Sequence, residues 1–271
     1  MRSWEDEAIT IAVAAGDLIT RAWSEPRRID FKGEVDLVTE TDRTVEKFVV
    51  EQLHAVFPEH RIVAEEGASG ERDRAAEENA WTWYVDPLDG TTNFAHGYPH
   101  VAVSLGLARG NDLEVGVVHD PLRRETFSAS RGFGARLNDR ALRVSTTDRL
   151  DRALVATGFP YDRRRHAAAY LRFVADVMQR AQGVRREGSA ALDLAWVAAG
   201  RLDGFWELKL QPWDVAAGAL IVVEAGGQVS DFSGDPFDPW ARQILATNGF
   251  IHGELAEILD ARLASESELL A

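Results

Sequence analysis

The chain has no cysteine among its 271 residues. That absence excludes disulfides, zinc–thiolate sites, iron–sulfur clusters and a cysteine nucleophile. Basic residues are also short, 30 against 44 acidic ones, for a formal charge of −14. A protein that holds nucleic acid through its phosphates normally carries the opposite sign, so such a partner is not expected. No long hydrophobic run is present. The longest strongly apolar stretch, Val215 to Val223, is far too short to span a bilayer. The acidic start Met1-Arg2-Ser3-Trp4-Glu5-Asp6-Glu7 lacks the apolar core of a signal peptide. We therefore expect a cytoplasmic protein with no membrane contact. There is no internal repeat, low-complexity tract or clear linker. Hydrophobic content of 45% and charged content of 27% fit a globular enzyme, and the length suits one catalytic domain over 1–271.

What is present is punctuated by carboxylates. Asp86-Pro87-Leu88-Asp89-Gly90-Thr91-Thr92-Asn93-Phe94 follows Trp81-Thr82-Trp83-Tyr84-Val85, a run that reads as a buried strand. Two aspartates then stand just past a strand end. Magnesium is a hard cation that takes several oxygens. Asp86, Asp89 and the Leu88 carbonyl could supply them from one turn. Gly90 and the threonines offer N–H and hydroxyl groups where a helix begins, and such a start binds phosphate. Metal beside phosphate points to metal-assisted hydrolysis of a phosphate ester. Taken alone, the motif is equally a tight turn of ordinary turn residues.

The pattern elsewhere reads as alternating helices and strands. Ser3-x-x-Asp6 resembles a capping box, with Ala8, Ile11, Ala12, Ala15, Leu18, Ile19 and Ala22 on one face behind it. A loop covers 25–35 and includes Lys32, read as solvated. A second helix runs to Phe57 on Val45, Phe48, Val49, Leu53 and Val56. Short strands are expected at 61–64, 101–108, 113–119, 125–130, 153–157, 203–207, 228–232 and 244–247, and a surface loop at 68–80. Helices are expected at 164–182, 189–200, 214–225 and 253–263. Gly132-x-Gly134 reads as a hairpin turn. His96, His100 and His119 lack metal-ligand spacing and read as structural or surface residues. The mixture implies an α+β layered unit.

Acidic residues recur at element edges: Asp42, Glu65-Glu66, Asp86 with Asp89, and Asp214. Singly, Asp42 and Asp214 are good helix caps and Glu65-Glu66 a solvated strand end. Together they are what a multi-metal site requires, because cations offset their repulsion.

The motifs Asp36-Leu37-Val38-Thr39-x-x-Asp42, Glu65-Glu66-Gly67, Trp83 through Phe94, and Trp213-Asp214-Val215-Ala216-Ala217-Gly218 resemble the inositol monophosphatase family in order and spacing. These are lithium-sensitive, magnesium-dependent phosphomonoesterases. The resemblance implies an alternating αβαβα sandwich, of the kind shared with fructose-1,6-bisphosphatase, and a homodimer. It implies that Glu65, Asp86 and the Leu88 carbonyl hold one Mg2+, and that Asp86, Asp89 and Asp214 hold a second. A looser third ion leans on Glu65. Thr91 and Asp42 orient the attacking water. Gly90 and Thr91 N–H groups hold phosphate, and Glu66 supports the ligands. Glu207 and the helix start at Ser189 and Ala190 face the substrate. The implied substrate is a small polyol phosphate, with myo-inositol monophosphate foremost. Histidinol phosphate and fructose 1,6-bisphosphate are the rival substrates. A nucleotide 3′-phosphatase typically has lysine after Asp-Gly-Thr, where this chain has Thr92. A regulatory partner of the transcription machinery is the rival from a different class.

Overall fold

The computed structural model describes residues 2–25, 29–31, 37–67 and 80–269. In chain order the elements are α1 (Arg2–Trp23), β1 (Ile29–Phe31), β2 (Leu37–Thr39), α2 (Glu40–Val56), β3 (Arg61–Ala64), β4 (Trp81–Asp89) and α3 (Thr91–His96). Then come β5 (Ala102–Arg109), β6 (Asp112–Asp120), β7 (Glu125–Ser130), β8 (Ala135–Leu137) and β9 (Arg140–Ala141). The last third holds β10 (Leu154–Thr157), α4 (Arg163–Met178), β11 (Gly183–Arg185), α5 (Ala190–Ala198) and β12 (Gly204–Leu208). It closes with α6 (Pro212–Glu224), β13 (Gln228–Ser230), β14 (Gln243–Thr247) and α7 (His252–Ser265).

Two mixed sheets organise the chain. The larger has the order β3-β4-β5-β6-β7-β8-β9, and the smaller has β11-β10-β12-β14-β13. Each sheet buries apolar side chains on both faces, so helices must cover four faces in all. Helices α1 and α2 cover the outer face of the large sheet, where Ile11, Ala15, Val49 and Leu53 meet Trp83, Val85 and Leu105. Helices α5 and α6 fill the space between the sheets, through Leu192, Val197, Ala217 and Ile221. Helices α4 and α7 close the outer face of the small sheet with Phe173, Val177, Leu255 and Leu259. The layers therefore alternate α, β, α, β, α, as the resemblance implied.

Strand β4 carries the feature that builds the site. Asp86 pairs with Ser104 and Asp89 with Ala102, so three steps on β4 match two on β5. One extra residue makes a bulge there. In a regular strand, residues three apart point to opposite faces. The bulge removes that alternation and brings Asp86 and Asp89 to the same side. Trp83, Val85 and Leu88 meanwhile pack under α1 and α2. Pro87 suits the bulge, because it has no N–H to pair.

Several expectations are corrected. Helix α1 already runs from Arg2, so Ser3 lies within it and does not cap it. Val56 ends α2 at 41% exposed, outside the buried face. Asp86 and Asp89 sit within β4 and not beyond its end. Asp42 and Asp214 are third residues of their helices and not caps. Each accepts a hydrogen bond from the backbone N–H of the true cap, Thr39 or Gln211. Asp203 precedes β12 instead of opening it. Strand β1 falls inside the expected 25–35 loop, and β8, β9 and β11 were not anticipated. Lys32 and the surface loop expected at 68–80, apart from Ala80, lie outside the described residues.

Candidate active site

Three elements bring carboxylates to one cavity of about 440 Å3. The end of β3 delivers Glu65, the β4 bulge delivers Asp86 and Asp89, and the start of α6 delivers Asp214. Leu88, Gly90 and Thr91 line the same space.

Each acid is held by the local chain. Asp86 Oδ1 accepts the Leu88 N–H at 2.9 Å across the bulge. Asp89 Oδ2 accepts the Ser189 hydroxyl and the Ala191 N–H, both at 2.7 Å. Asp214 Oδ2 accepts the Gln211 N–H at 2.7 Å. Pro212 precedes it at the first helical turn, where no N–H is needed. The Ser104 hydroxyl donates to the Trp213 carbonyl at 3.1 Å and ties the start of α6 to β5.

Electrostatics sets these groups apart from surface acids. Burial pushes Asp86 well above the usual carboxylate range, and Glu65, Asp89 and Asp214 add repulsion. Asp214 is likewise raised well above it, by burial and then by Glu65. Asp89 is raised by burial to about 6, although Ser189 and the Ala191 N–H oppose the rise. Four acids turned on one cavity repel unless positive charge joins them. Carboxylates and a backbone carbonyl are the ligand chemistry of a hard divalent cation. Among the described residues no three His, Cys, Asp or Glu side chains close on a single point. The four acids instead line the cavity from different sides. By donor chemistry the residues fit a hard divalent cation.

Beside the acids, Thr91 Oγ1 lies 2.9 Å from Asp42 Oδ1 and 3.2 Å from the Leu88 carbonyl. The other Asp42 oxygen accepts the Thr39 N–H at 2.8 Å and the Thr39 hydroxyl. Asp42 is fully buried, and burial raises its pKa. Gly90 caps α3 with φ of +91°, a conformation only glycine adopts freely. A Cβ there would also meet the His100 carbonyl at 2.8 Å.

Glu207 lines the far side of the cavity, at the end of β12. Its carboxyl group lies directly against Gly158, where a Cβ would come within 2.0 Å of it. Burial raises its pKa to about 8, with Arg186 opposing and Asp89 reinforcing the shift. Ser189 and Ala190 line the cavity, and the Ser189 hydroxyl donates to Asp89. Its observed role is to hold a site carboxylate. Glu66 presents its backbone N–H to Glu46 Oε2 at 2.7 Å.

Sequence reasoning missed Arg186, Phe159, Arg163 and Lys209, which complete the rim. Arg186 lies over the Phe159 ring at 5.7 Å. Lys209 has φ of +62° and pairs with Asp162 at 2.5 Å. None carries a motif signal, because each reaches the cavity only through the fold. Of the histidines, His100 and His119 are buried and His96 is exposed, none of them lining this cavity.

Known proteins resemble this chain in sequence and in fold. Residues 1–267 match the model of the inositol monophosphatase family. The chain is similar to an inositol-1-monophosphatase of Synechocystis, with 46% identity over 263 residues, covering 96% of this chain and 90% of that protein. It is 45% identical over 229 residues to the Nus factor SuhB of Escherichia coli, covering 84% of each. Among solved structures, the inositol monophosphatase from Anabaena superposes with a TM-score of 0.84 at 41% identity, covering 96% of both chains.

Proposed function

We propose that this chain, which belongs to the inositol monophosphatase family, hydrolyses a small polyol phosphate with the help of Mg2+, and that myo-inositol monophosphate is its substrate. The observation that carries this reading is the meeting of Glu65, Asp86, Asp89 and Asp214 on one cavity beside the Thr91–Asp42 pair.

In this reading Glu65, Asp86 and the Leu88 carbonyl hold one ion, and Asp86, Asp89 and Asp214 a second. Bound Mg2+ supplies Lewis acidity, which neutralises these acids, acidifies water and offsets charge on the departing oxygen. The chain's own groups do the rest. Thr91 gives its hydroxyl proton to Asp42 Oδ1 in a hydrogen bond. Its lone pairs then accept a hydrogen from the attacking water and aim that water at phosphorus. Burial makes Asp42 more basic than a surface aspartate, which suits it to hold that proton. The N–H groups of Gly90 and Thr91 receive the phosphate oxygens, the Gly90 N–H turning from the Asp89 carboxylate that it meets in the structure. Glu207 meets the polyol hydroxyls. Its carboxyl oxygens accept hydrogen bonds from them.

A second reading has one specific support. The Escherichia coli relative is named a Nus factor, so a partner in the transcription machinery is also proposed, alongside catalysis. One experiment tests the main reading. Phosphate release is measured from myo-inositol 1-phosphate, histidinol phosphate and fructose 1,6-bisphosphate, with Mg2+, with EDTA, and with Mg2+ plus LiCl. We expect the inositol phosphate to be preferred, EDTA to abolish release and lithium to inhibit it. Full turnover in EDTA would sink the metal mechanism. Preference for another substrate would replace inositol phosphate alone.

A further inference from the structure

We infer that Glu46, which is not among the cavity's lining residues, is a positioning residue for the cation site: it fixes the turn that carries Glu65. The inference rests on the reading that Glu65 holds an ion. Strand β3 ends at Ala64, and Glu65 still donates its N–H to the Val85 carbonyl at 3.1 Å. The next N–H, that of Glu66, leaves the ladder. It needs another acceptor, since an unpaired backbone donor in a partly buried turn is costly. Glu46 Oε2 is that acceptor, at 2.7 Å. The other oxygen lies along the same turn: a Cβ at Gly67 would stand 3.2 Å from Glu46 Oε1. The carboxylate thus spans Glu66 and Gly67, immediately after the proposed ligand.

The position of Glu46 on α2 gives this contact a wider consequence. It lies four residues after Asp42, hence on the same helix face. Asp42 Oδ1 holds Thr91 on one edge of the site, and Glu46 holds the Glu65 turn on the other. One turn of a single helix sets the spacing between the water-orienting pair and a proposed metal ligand. Loss of Glu46 frees the Glu65 turn from α2 while leaving Asp42 and Thr91 in place. The effect falls on ion affinity before it falls on the chemical step.

The test compares wild type, Glu46→Ala and Glu46→Gln. Mg2+ binding is measured by calorimetry, phosphate release from myo-inositol 1-phosphate is followed against Mg2+ concentration, and thermal unfolding is recorded in EDTA. Partners that orient metal ligands typically contribute about 10–100-fold in metal affinity. Glu46→Ala is expected to weaken Mg2+ binding by about tenfold, with turnover recovering at saturating Mg2+. Glu46→Gln keeps a carbonyl acceptor for the Glu66 N–H and loses the charge, so its affinity is expected within about threefold of wild type, because the hydrogen bond sets the turn. If the glutamine variant falls as far as alanine, long-range charge is the cause and the proposal is overturned. It is also overturned if both variants bind Mg2+ like wild type and differ only in unfolding temperature. A wild-type protein that neither binds Mg2+ nor releases phosphate would refute the functional reading beneath it, an outcome visible before any variant is made.

Discussion

Gly116→Ala tests the link between packing and the site. Gly106 on β5 and Gly116 on β6 are register partners. Helix α6 lies directly on this pair. A Cβ at Gly116 would stand 2.5 Å from the Ala217 carbonyl oxygen and 3.1 Å from its carbonyl carbon and Cα. All three are backbone atoms, so no rotamer change relieves the clash. Either α6 lifts or β6 sinks. Overpacking of this kind costs about 1–3 kcal/mol, and a backbone obstacle puts it near the upper end. For a chain of this size that is a fall in Tm of roughly 5–10 °C. Asp214 lies three residues before Ala217 and is bonded to its own cap residue Gln211. It therefore travels with the helix, and the Mg2+ concentration for half-maximal activity is expected to rise several-fold. Thermal unfolding and Mg2+-dependent phosphate release measure the two effects, the latter well below Tm. Ala217→Gly added to Gly116→Ala should give no rescue, because the contact is with main chain. Wild-type Tm and Mg2+ dependence in Gly116→Ala would refute the claim that this glycine pair sets the height of α6.

Three further outcomes are expected. Asp89→Asn removes a charge that burial already disfavours, so the apo protein should be no less stable in thermal unfolding, while kcat falls on the order of 100-fold or more; a stable variant with near wild-type kcat would contradict the ligand assignment. Glu207→Gln should raise KM for inositol phosphate more than for glycerol phosphate, since the latter lacks ring hydroxyls; equal changes on both would make Glu207 part of the scaffold. His252 is buried, with Ser230 Oγ at 2.9 Å from Nε2 and Thr247 Oγ1 at 2.9 Å from Nδ1. Burial lowers its pKa to about 4, so the unfolded chain takes up a proton first as pH falls below about 6.5 and the folded state loses stability towards pH 4. The stability advantage of wild type over His252→Gln, from urea unfolding in EDTA, should shrink by roughly 2 kcal/mol between pH 7.5 and pH 5; a gap that stays constant would mean the imidazole is not held neutral.

The parts of the fold visible in the sequence are those with a period. The α1 face through Ala8, Ile11, Ala15 and Ile19 is buried as its spacing predicts. Strand β7 runs over Glu125–Ser130 as expected. What escaped lacks a period. Strands β8, β9 and β11 have two or three residues each, too few to alternate. Their pairing comes from neighbours: Gly132 and Gly134, both at positive φ, turn the chain from β7 to β8, and Glu224 at the end of α6 accepts both their N–H groups at 2.7 and 2.8 Å. That bond joins residues some ninety positions apart, and no local pattern announces it.

The site divides along the same line. Asp86 and Asp89 were legible as a pair because the acids, proline and glycine occupy one short segment. Their shared direction was not, since three residues in a regular strand would separate them. The bulge follows from the register against β5, where Asp86 meets Ser104 and Asp89 meets Ala102. Asp42 and Asp214 show the same limit. Taken singly each reads as an ordinary cap, and each sits at the third helical position with one oxygen on the cap N–H. A carboxylate so placed spends one oxygen on the helix and keeps the other for the site, as Asp42 Oδ1 does towards Thr91. The capping and the functional readings were posed as rivals for these residues. In the structure the two readings are compatible, because the helix start that takes one oxygen also aims the other.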